Sequence, residues 1–416
     1  MTTVIFLAGR TMGDSLGEIG RSQRDVYAGL GHDFVEINFA DSNWADVLNR
    51  TLAKGDVECV LSFMGMGADL TGQTPKGESV NLWDGMSIPF ISLYGDTPAY
   101  YFDRHVMPSR RCASLYAFPE HCAFRKRLPH IKGLMGVMPP APLDTMPRSK
   151  IDFGAKERGK VYFLKNGNNP AQLLEMWRQA LAPTLYLMIM DVAAALAGDL
   201  ASDQGCDIDG CVTTYFRDKG FDVDALVNLR LFFVAQLDDY LRRLKSEFVV
   251  QTLMDLPIEV HGYNWEHVDF SGKRAKYVHG GAYATSRALI VDSLATIDMS
   301  PNTSSMPHER VARAMGMYTL CLTNEQAFFR NELPEAEPCL YRFDAESLRA
   351  KVADVLSKPR HYVELGRDIA ESFRRKFDAE GPARHILEAA SCVRLSQGKR
   401  PDQLQDFFAW PPAQLA

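Results

Sequence analysis

Residues 298–316, DMSPNTSSMPHERVARAMG, connect the end of an apolar strand to the start of a helix. The run LATIDM (294–299) predicts the strand, and the polar cluster after it is rich in residues that form turns and cap helices. Pro307 suits the first turn of a helix, where its missing N–H is not needed. A second apolar strand, GMYTLCLTN (316–324), follows. The order strand, loop, helix, strand is typical of a parallel sheet covered by helices.

The same alternation on the amino-terminal side of this segment predicts an α/β fold. Within the first 140 residues, the strand patterns TVIFLA, HDFVEINF, VECVLSF and IPFISLYG are separated by helical patterns. Strand patterns begin again with KVYFLKNG (160–167) and continue with LPIEVHGYNW (256–265) and ALIVDSLATIDMS (288–300). The chain between them, 170–255, has apolar residues at helical spacing and predicts a helical insertion.

A chain of 416 residues exceeds what one hydrophobic core usually supports, so we expect two domains. Residues 138–160 are rich in proline and charge and predict the connection between them. We expect an amino-terminal domain over 1–145, a carboxy-terminal domain over 146–395 with the insertion at about 170–255, and a tail over 396–416.

Composition and charge exclude several classes of protein. The formal net charge of −6 disfavours binding to nucleic acid, which requires a basic surface. The most apolar stretch, 181–198, contains Pro183 and Asp191 and predicts a buried helix, with no transmembrane segment. Eight dispersed cysteines and a start, MTTVIFLAGR, that lacks the pattern of a secretory leader predict a cytoplasmic protein.

Two loops of the first domain could bind or activate a substrate, because ligands of open parallel sheets lie at the carboxyl ends of the strands. The loop GRTMGDSLGEIGR (9–21) contains Gly13, Asp14, Gly17 and Arg21, and the alternative is a plain tight turn. The loop YGDTPAYYFDRH (94–105) contains Asp96 and His105, either of which could act as a general base. The alternative for Asp96 is a side chain bonded to its own backbone before Pro98.

The second domain has candidate residues at three strand ends. Lys165 in FLKNGNN could meet a phosphate or could be solvated. Gly262, Tyr263 and Asn264 in VHGYNW could hold a nucleobase or could cap the core. After LATIDM, the loop and helix start place Ser304, Ser305 and His308 beside Arg310, which outlines a phosphate site. The alternative is that Glu309 and Arg313 only form a helix-surface pair.

The segment GCDIDGC (205–211) has two cysteines and two aspartates, but no second Cys/His pair lies at zinc-site spacing. The loop pattern of an EF-hand is also absent. We therefore predict no metal site here, only an acidic loop between helices.

The segment PHERVARAMGMYTLCLTN (307–324), together with the late helix YVELGRDIAESFRRKF and two α/β domains, resembles the GT-B glycosyltransferases. The resemblance is to the group-1-type carboxy-terminal domain of spore-maturation-protein-like members, and covers about 256–390. It implies two Rossmann-like domains facing across a cleft, with a nucleotide-sugar donor on the second domain and an acceptor on the first. It implies no metal and no other cofactor, since fixed donors and cations stabilise the diphosphate.

Carried over residue by residue, the resemblance places Arg310, Lys165, Ser304, Ser305 and His308 at the diphosphate. It places Gly262, Tyr263 and Asn264 at the nucleobase, with Glu309 or Glu325 as a substitute contact to the ribose. Asp96, Asp14 or His105 would then deprotonate the acceptor, and Gly13, Gly17 and Arg21 would line the acceptor loop. The chain departs from the family at Arg313, which stands nearest the position where the family has an acidic residue.

Two rival functions remain open at this point. A nucleotide-cofactor oxidoreductase is disfavoured because neither first strand-to-helix turn carries GxGxxG. A non-catalytic sugar-nucleotide-binding or structural protein of the same fold is favoured by the missing acidic residue. The helical insertion could bind the acceptor or form a homodimer, and the residues alone do not choose between these roles.

Overall fold

The computed structural model describes residues 1–9, 15–106, 109–130, 133–198, 206–281, 283–300 and 302–396. The chain divides into two compact units. The first unit comprises Met1–Ala141 together with the chain from Ala379, and the second comprises Pro142–Asp378.

Apolar runs rich in β-branched and aromatic residues form the strands of the first unit, in keeping with their preference for a pleated, buried surface. The strands are β1 (Thr2–Ala8), β2 (His32–Asn38), β3 (Val57–Phe63), β4 (Thr71–Gln73), β5 (Ser79–Asn81), β6 (Phe90–Tyr94), β7 (Cys112–Tyr116) and β8 (Leu134–Val137). The helices between them are α1 (Ser15–Ser22), α2 (Arg24–Gly29), α3 (Trp44–Ala53), α4 (Leu82–Gly85), α5 (Phe102–His105) and α6 (Pro119–Lys126). Strands pair in parallel in the order β2-β1-β3-β6-β7-β8, and β4 and β5 form a separate antiparallel hairpin.

The second unit repeats this architecture with its own parallel sheet. Its strands are β9 (Val161–Leu164), β10 (Ile258–Gly262), β11 (Lys276–His279), β12 (Ala295–Ile297), β13 (Leu320–Asn324) and β14 (Leu340–Tyr341). Its helices are α7 (Phe153–Glu157), α8 (Pro170–Ala180), α9 (Pro183–Gly198), α10 (Ile208–Asp218), α11 (Val227–Leu253), α12 (Tyr283–Val291), α13 (Glu309–Gly316), α14 (Ala327–Glu332), α15 (Ala345–Ser357) and α16 (Pro359–Lys376), with short 3-10 helices at Arg148–Lys150 and Pro334–Cys339. The strand order is β11-β10-β9-β12-β13-β14. These two sheets confirm the α/β class expected from the sequence.

The order of strands in the second sheet locates its ligand-binding edge. From β9 the chain first builds outward through β10 and β11, and then returns to the other side of β9 with β12, β13 and β14. This is the Rossmann order, in which ligands bind at the carboxyl ends of the two strands where the order reverses. Those strands are β9 and β12.

Helices α8 to α11 lie between β9 and β10 and form the insertion expected from the sequence. The two aspartates of GCDIDGC are used inside it: Asp207 caps α10 by accepting a hydrogen bond from the Gly210 amide at 3.0 Å, and Asp209 receives two bonds from Arg230 at 2.6 and 2.8 Å. Both carboxylates therefore have structural partners at the start of a helix.

Helix α17 (Gly381–Leu395) belongs to the first unit, although the sequence places 381–395 with the second domain. Its apolar stripe packs on the first sheet beside Val4, Phe6 and Leu115. The buried side chains of the stripe are Ala383, Ile386, Ala389, Ala390 and Val393. Spacing of this kind predicts a helix with one buried face, but does not tell which sheet the face covers. Beyond Ser396, the predicted tail lies outside the described residues.

Two further differences have local causes. The apolar run 288–300 reads as one strand in the sequence, but α12 takes its first part and β12 contains only Ala295–Ile297. Short apolar runs fit either a buried strand or a buried helix, so periodicity does not separate the two. The sequence patterns do not predict β4, β5, β7, β8, β11 or β14.

Residues from Pro142 onward, expected to be a connector, pack against α13. The Leu143 amide donates to the Ala312 carbonyl and the Met146 amide to the Gly316 carbonyl, each at 3.0 Å. A Cβ at Gly316 would lie 1.9 Å from the Leu143 carbonyl oxygen. Glycine at 316 therefore serves this close backbone approach.

Within the described ranges, we find no helix that combines the length and the apolar character needed to cross a membrane.

Candidate functional site

The candidate site lies at the carboxyl ends of β9 and β12, in the second unit. Lys165 directly follows β9, and Asp298 directly follows β12. Because these neighbouring strands are parallel, the loops that leave them emerge at the same edge of the sheet. The loop after β12 then leads to His308 and Arg310 at the start of α13.

Asp298 and Arg310 form an ion pair at the bottom of the site. Arg310 Nε donates to Asp298 Oδ1 at 2.7 Å, and Arg310 Nη2 lies 3.4 Å from the Met299 carbonyl oxygen. Asp298 has no exposed surface, and its Oδ2 accepts a hydrogen bond from the Thr323 hydroxyl at 3.3 Å. Burial raises the pKa of Asp298, and the charge of Arg310 opposes that rise. The carboxylate thus fixes the guanidinium through Nε, while Nη1 makes no hydrogen bond to any described residue.

The backbone of Lys165 is hydrogen-bonded on both sides, whereas its ammonium has no carboxylate partner among the described residues. Its amide donates to the His261 carbonyl at 2.9 Å, and its carbonyl accepts from the Trp265 indole at 2.7 Å. Over the part of the chain that the structure describes, Lys165 Nζ makes no hydrogen bond or ion pair. Burial, followed by the charges of Arg310 and Arg242, lowers the pKa of Lys165 to about 7. A partly buried ammonium beside other cations is suited to receive an anion.

His308 caps α13. Its Nδ1 lies 3.6 Å from Asp298 Oδ1 and accepts from the Arg310 amide at 3.3 Å in the neutral tautomer that carries its proton on Nε2. Burial and the nearby charges of Arg310, Lys165 and Arg242 lower the pKa of His308, which favours this neutral form. Glu309 Oε2 lies 3.2 Å from the same Nδ1, and burial raises the pKa of Glu309. The Nε2–H of His308 has no acceptor among the described residues and could donate to a ligand.

The predicted serines lie on the loop between Asp298 and His308. Ser304 is buried, and its carbonyl accepts from the Phe328 amide at 3.0 Å; Ser305 is half-buried. Earlier in the loop, the Ser300 amide donates to Asn324 Oδ1 at 2.7 Å, and its hydroxyl bonds to the Thr303 carbonyl. The bonds to Asn324 and Phe328 tie the loop to the end of β13 and the start of α14.

The loop predicted to hold a nucleobase lies directly beside the Lys165 loop. The Tyr263 amide donates to Asn166 Oδ1 at 3.0 Å, and Asn264 Nδ2 donates to Asn168 Oδ1 at 2.8 Å. A Cβ at Gly262 would lie 2.3 Å from the Lys165 carbonyl oxygen, so glycine is needed for the two loops to approach. The Tyr263 ring is half-buried and the Asn264 side chain is exposed. Trp265, by contrast, is fully buried core.

Arg242 on α11 is a site residue that sequence reasoning missed. Its Nε lies 2.8 Å from Asp238 Oδ2, and its charge lowers the pKa of both Lys165 and His308. The Asp238–Arg242 spacing on one helix face is visible in the sequence, but it is also the spacing of an ordinary surface pair. Nothing in the sequence alone indicates that this face meets the ends of β9 and β12.

Arg313 is structural. It is 3% exposed, and its Nε donates to Asp144 Oδ2 at 2.8 Å. Nη1 donates to the Ser286 hydroxyl at 2.8 Å, and the guanidinium stacks 3.6 Å from the centre of the Tyr283 ring. Arg313 therefore does not form the helix-surface pair with Glu309 that the sequence left as an alternative.

In the first unit, Asp96 and His105 have different surroundings. Asp96 is half-buried just beyond the carboxyl end of β6, where a general base of an open sheet would lie. The His105 ring is buried, stacks on Tyr94 at 3.9 Å between centroids, and bonds through Nδ1 to the Tyr116 hydroxyl at 3.0 Å. Burial, then the charges of Arg125 and His121, lower the pKa of His105 to about 3. This environment is that of a packed core imidazole and favours Asp96 over His105 as a base.

The predicted acceptor loop is described only in part, because Gly13 and Asp14 lie outside the described residues. Gly17 is buried in α1. Arg21 donates to Glu36 at 2.8 Å and to Glu18 at 3.0 Å. Its guanidinium thus takes part in an ion-pair network within the first unit.

Across the described ranges, no group of three or more His, Cys, Asp and Glu side chains is arranged to hold a metal ion. No protein family model matches the chain, and a search of curated proteins finds no match.

Solved structures show similarity at the level of chain arrangement. An alpha-glucosyltransferase in complex with UDP and a 13-mer DNA aligns over 94% of this chain and 100% of its own, with 9% identity and a TM-score of 0.48. MurG from Acinetobacter baumannii covers the same shares, with 9% identity and a TM-score of 0.38. The glycosyltransferase VinC in complex with DTDP also covers these shares, with 8% identity and a TM-score of 0.38. These similarities assign no role to any residue of this chain.

Proposed function

We propose that the protein is a glycosyltransferase of the GT-B type, which moves a sugar from a nucleoside diphosphate donor to an acceptor. The observation that carries the proposal is the cation site at the ends of β9 and β12. There, the Lys165 ammonium has no hydrogen-bonding or ion-pair partner among the described residues, and Arg310 is oriented beside it by a buried carboxylate. The sequence resemblance of 256–390 to this family supports the same assignment.

The proposed chemistry places the donor diphosphate against Lys165, Arg310 and the Nε2–H of His308. When the bond between the sugar and the diphosphate oxygen breaks, negative charge grows on that oxygen. Fixed cations and donors stabilise such charge without reorganising during the reaction. No metal ion is required in this scheme. Ser304 and Ser305 would lie along the same loop, and Gly262, Tyr263 and Asn264 would face the nucleoside.

An acceptor hydroxyl would supply the oxygen that forms the new bond to the sugar, and a base would take its proton. We propose Asp96 for this role, because its position just beyond β6 is suited to a base and His105 is buried.

One structural feature weighs against the oxidoreductase alternative. Dinucleotide folds bind pyrophosphate at the N-terminus of the helix after their first strand. In the second unit that helix is α8, and the Asn169 side chain caps it by accepting from the amides of Ala171 and Gln172 at 2.8 and 3.3 Å. Pro170 occupies the first helical position and has no N–H to offer.

Binding of nucleotides to the full chain tests the proposal. Thermal-shift and calorimetric titrations with UDP, GDP, TDP, NAD and NADP should show stabilisation by one of the nucleoside diphosphates. A ligand at 100 times its Kd adds about 2.7 kcal/mol to the free energy of unfolding. Stabilisation by NAD or NADP alone would overturn the proposal.

Variants then assign the site. Arg310→Gln should weaken diphosphate binding about 10- to 100-fold, as expected for loss of a charge-assisted hydrogen bond. Arg310→Lys keeps the charge for the case in which the first variant does not fold. Arg360→Gln removes an exposed arginine of α16 and should bind as the wild type does. For catalysis, Asp96→Asn should abolish hydrolysis of the donor sugar, whereas Asp103→Asn, an exposed residue of the same loop, should not.

A further inference from the structure

Helix α11 of the insertion lies along the loop that follows β12. Asn302 Nδ2 of that loop donates to Asp238 Oδ1 at 2.8 Å and lies 3.4 Å from the Asp238 carbonyl oxygen. Two turns further along the helix, the Ser246 hydroxyl lies 3.5 Å from Met299 Sδ. The insertion is thus joined to the candidate site by side chains at two levels of one helix face.

The Asp238 carboxylate links this loop to Arg242. One oxygen binds Asn302, and the other lies 2.8 Å from Arg242 Nε. The Asp238 side chain is 4% exposed and that of Arg242 is 24% exposed, so the carboxylate is buried while part of the Arg242 side chain reaches solvent. The Asp238 carboxylate thus joins Asn302 of the loop after β12 to Arg242 of α11.

The charges of three cations from separate elements meet at this point. Lys165 comes from the end of β9, Arg310 from α13 and Arg242 from α11. Both arginines act on the Lys165 ammonium and on His308. Asp298 is bound to Arg310 and Asp238 to Arg242, and the charges of Asp298 and Glu309 oppose the lowering of the Lys165 pKa. An anion with several negative charges would relieve the repulsion among the three cations.

We propose that Arg242 binds the diphosphate of the donor together with Lys165 and Arg310, and that Asp238 is the residue that positions it. The helical insertion is then a part of the donor site. The identity of the ligand rests on the proposed function, but the anion site itself can be probed with inorganic pyrophosphate.

The test compares Arg242→Gln with Arg243→Gln on the same helix. Arg243 forms the matching pair with Asp239 at 2.7 Å, and its charge is not among the main causes of the pKa shifts of Lys165 and His308. In calorimetric titrations with pyrophosphate and with the nucleoside diphosphate, Arg242→Gln should weaken binding at least tenfold. Arg243→Gln should stay within about threefold of the wild type. The corresponding nucleoside monophosphate should lose less affinity than the diphosphate in Arg242→Gln.

A second readout separates binding from a merely structural role. Because Arg242 lowers the pKa of Lys165, its removal should raise the pH at which diphosphate affinity begins to fall. Asp238→Asn should weaken pyrophosphate binding without this shift, because the charge of Arg242 remains. If Arg242→Gln does not fold, Arg242→Lys provides the test, because it keeps the charge and should fold. It lacks the planar guanidinium, so its affinity for pyrophosphate should fall at least threefold, while the pH midpoint should stay that of the wild type.

The outcomes distinguish this inference from the proposed function. The role of Arg242 alone would be overturned if Arg242→Gln kept the affinity and the pH midpoint of the wild type. Where that variant does not fold, wild-type affinity in Arg242→Lys would overturn it. Binding of pyrophosphate that depends on Arg242, with no binding of nucleoside diphosphates, would overturn the proposed function alone. Binding of neither probe would overturn both.

Discussion

Arg310 and Asp298 form a buried ion pair at the carboxyl edge of the second sheet, with Nε 2.7 Å from Oδ1. The carboxylate is further held by the Thr323 hydroxyl, and the Asp298 carbonyl accepts from the Tyr341 hydroxyl at 2.7 Å. Partners from β13, β14 and α13 therefore meet at the aspartate that follows β12. The core of the sheet thus orients Arg310, which we propose to bind the diphosphate.

Asp298→Asn should lower the free energy of unfolding of the second unit by about 3 kcal/mol, because it leaves the Arg310 charge buried without its partner. Chemical denaturation followed by circular dichroism measures this loss. Glu364→Gln breaks the exposed pair with Arg360 on α16 and should cost less than about 1 kcal/mol. Equal losses in the two variants would show that the Arg310–Asp298 pair behaves as a solvated one.

The affinity for the nucleoside diphosphate should fall as the pH rises from 7.5 to 9. The pKa of Lys165 in the free protein is about 7, lowered by burial, Arg310 and Arg242 and opposed by Asp298 and Glu309. A bound diphosphate favours the charged ammonium and raises this pKa. Below pH 7 the lysine already carries its proton, and above pH 7 binding must take one up. The slope should approach tenfold per pH unit.

Calorimetry in two buffers of different ionisation enthalpy should detect uptake of close to one proton per ligand at pH 8.5. The terminal phosphate of the ligand, with a pKa of about 6, is already ionised there. In Lys165→Arg the guanidinium stays charged, so the slope should disappear. A wild-type affinity that is flat between pH 7.5 and 9 would show that the ligand does not contact Lys165.

Arg313→Glu places an acid where the resembling glycosyltransferases have one, but it should not improve nucleotide binding. Arg313 is buried among Asp144, Ser286 and the Tyr283 ring, so a carboxylate there would face Asp144 and lose the stacking. We expect a loss of about 3 to 5 kcal/mol in the free energy of unfolding, measured by denaturation. Arg313→Lys should recover part of it. A folded Arg313→Glu protein with tighter nucleotide binding would contradict the structural role.

How far the sequence predicts this site depends on where each residue lies along the chain. Lys165 and Asp298 directly follow apolar strands, and parallel strands bring their carboxyl ends to one edge, so local patterns are enough to place Lys165 and Arg310 together. Local patterns say less about the orientation of the His308 ring. Its ring caps α13, which takes one nitrogen into the helix start and leaves only the other for a ligand.

Arg242 could not be predicted because its role depends on how the insertion packs. Its pair with Asp238 is local, but the contact that brings α11 to the site runs through Asn302, far along the chain. The same limit applies to α17, whose apolar stripe is evident although the sheet it covers is not. Tertiary packing of helices is set by shapes and volumes on both surfaces, which periodicity does not describe.

The packing of α17 gives the last prediction. Ile386 is 3% exposed and lies in the core of the first unit with Phe6 and Leu115, although it follows the whole second unit in sequence. Ile386→Ala should lower the free energy of unfolding of the first unit by about 2 to 5 kcal/mol, because it leaves a cavity in that core. Arg384→Ala, on the exposed side of α17, removes a pair with Glu380 and should cost less than about 1 kcal/mol. Hydrogen exchange read residue by residue should show faster exchange in β1 and β3 of Ile386→Ala and unchanged exchange in β9 and β12. Faster exchange confined to β9 and β12 would mean that α17 stabilises the second unit, as its place in the sequence suggests.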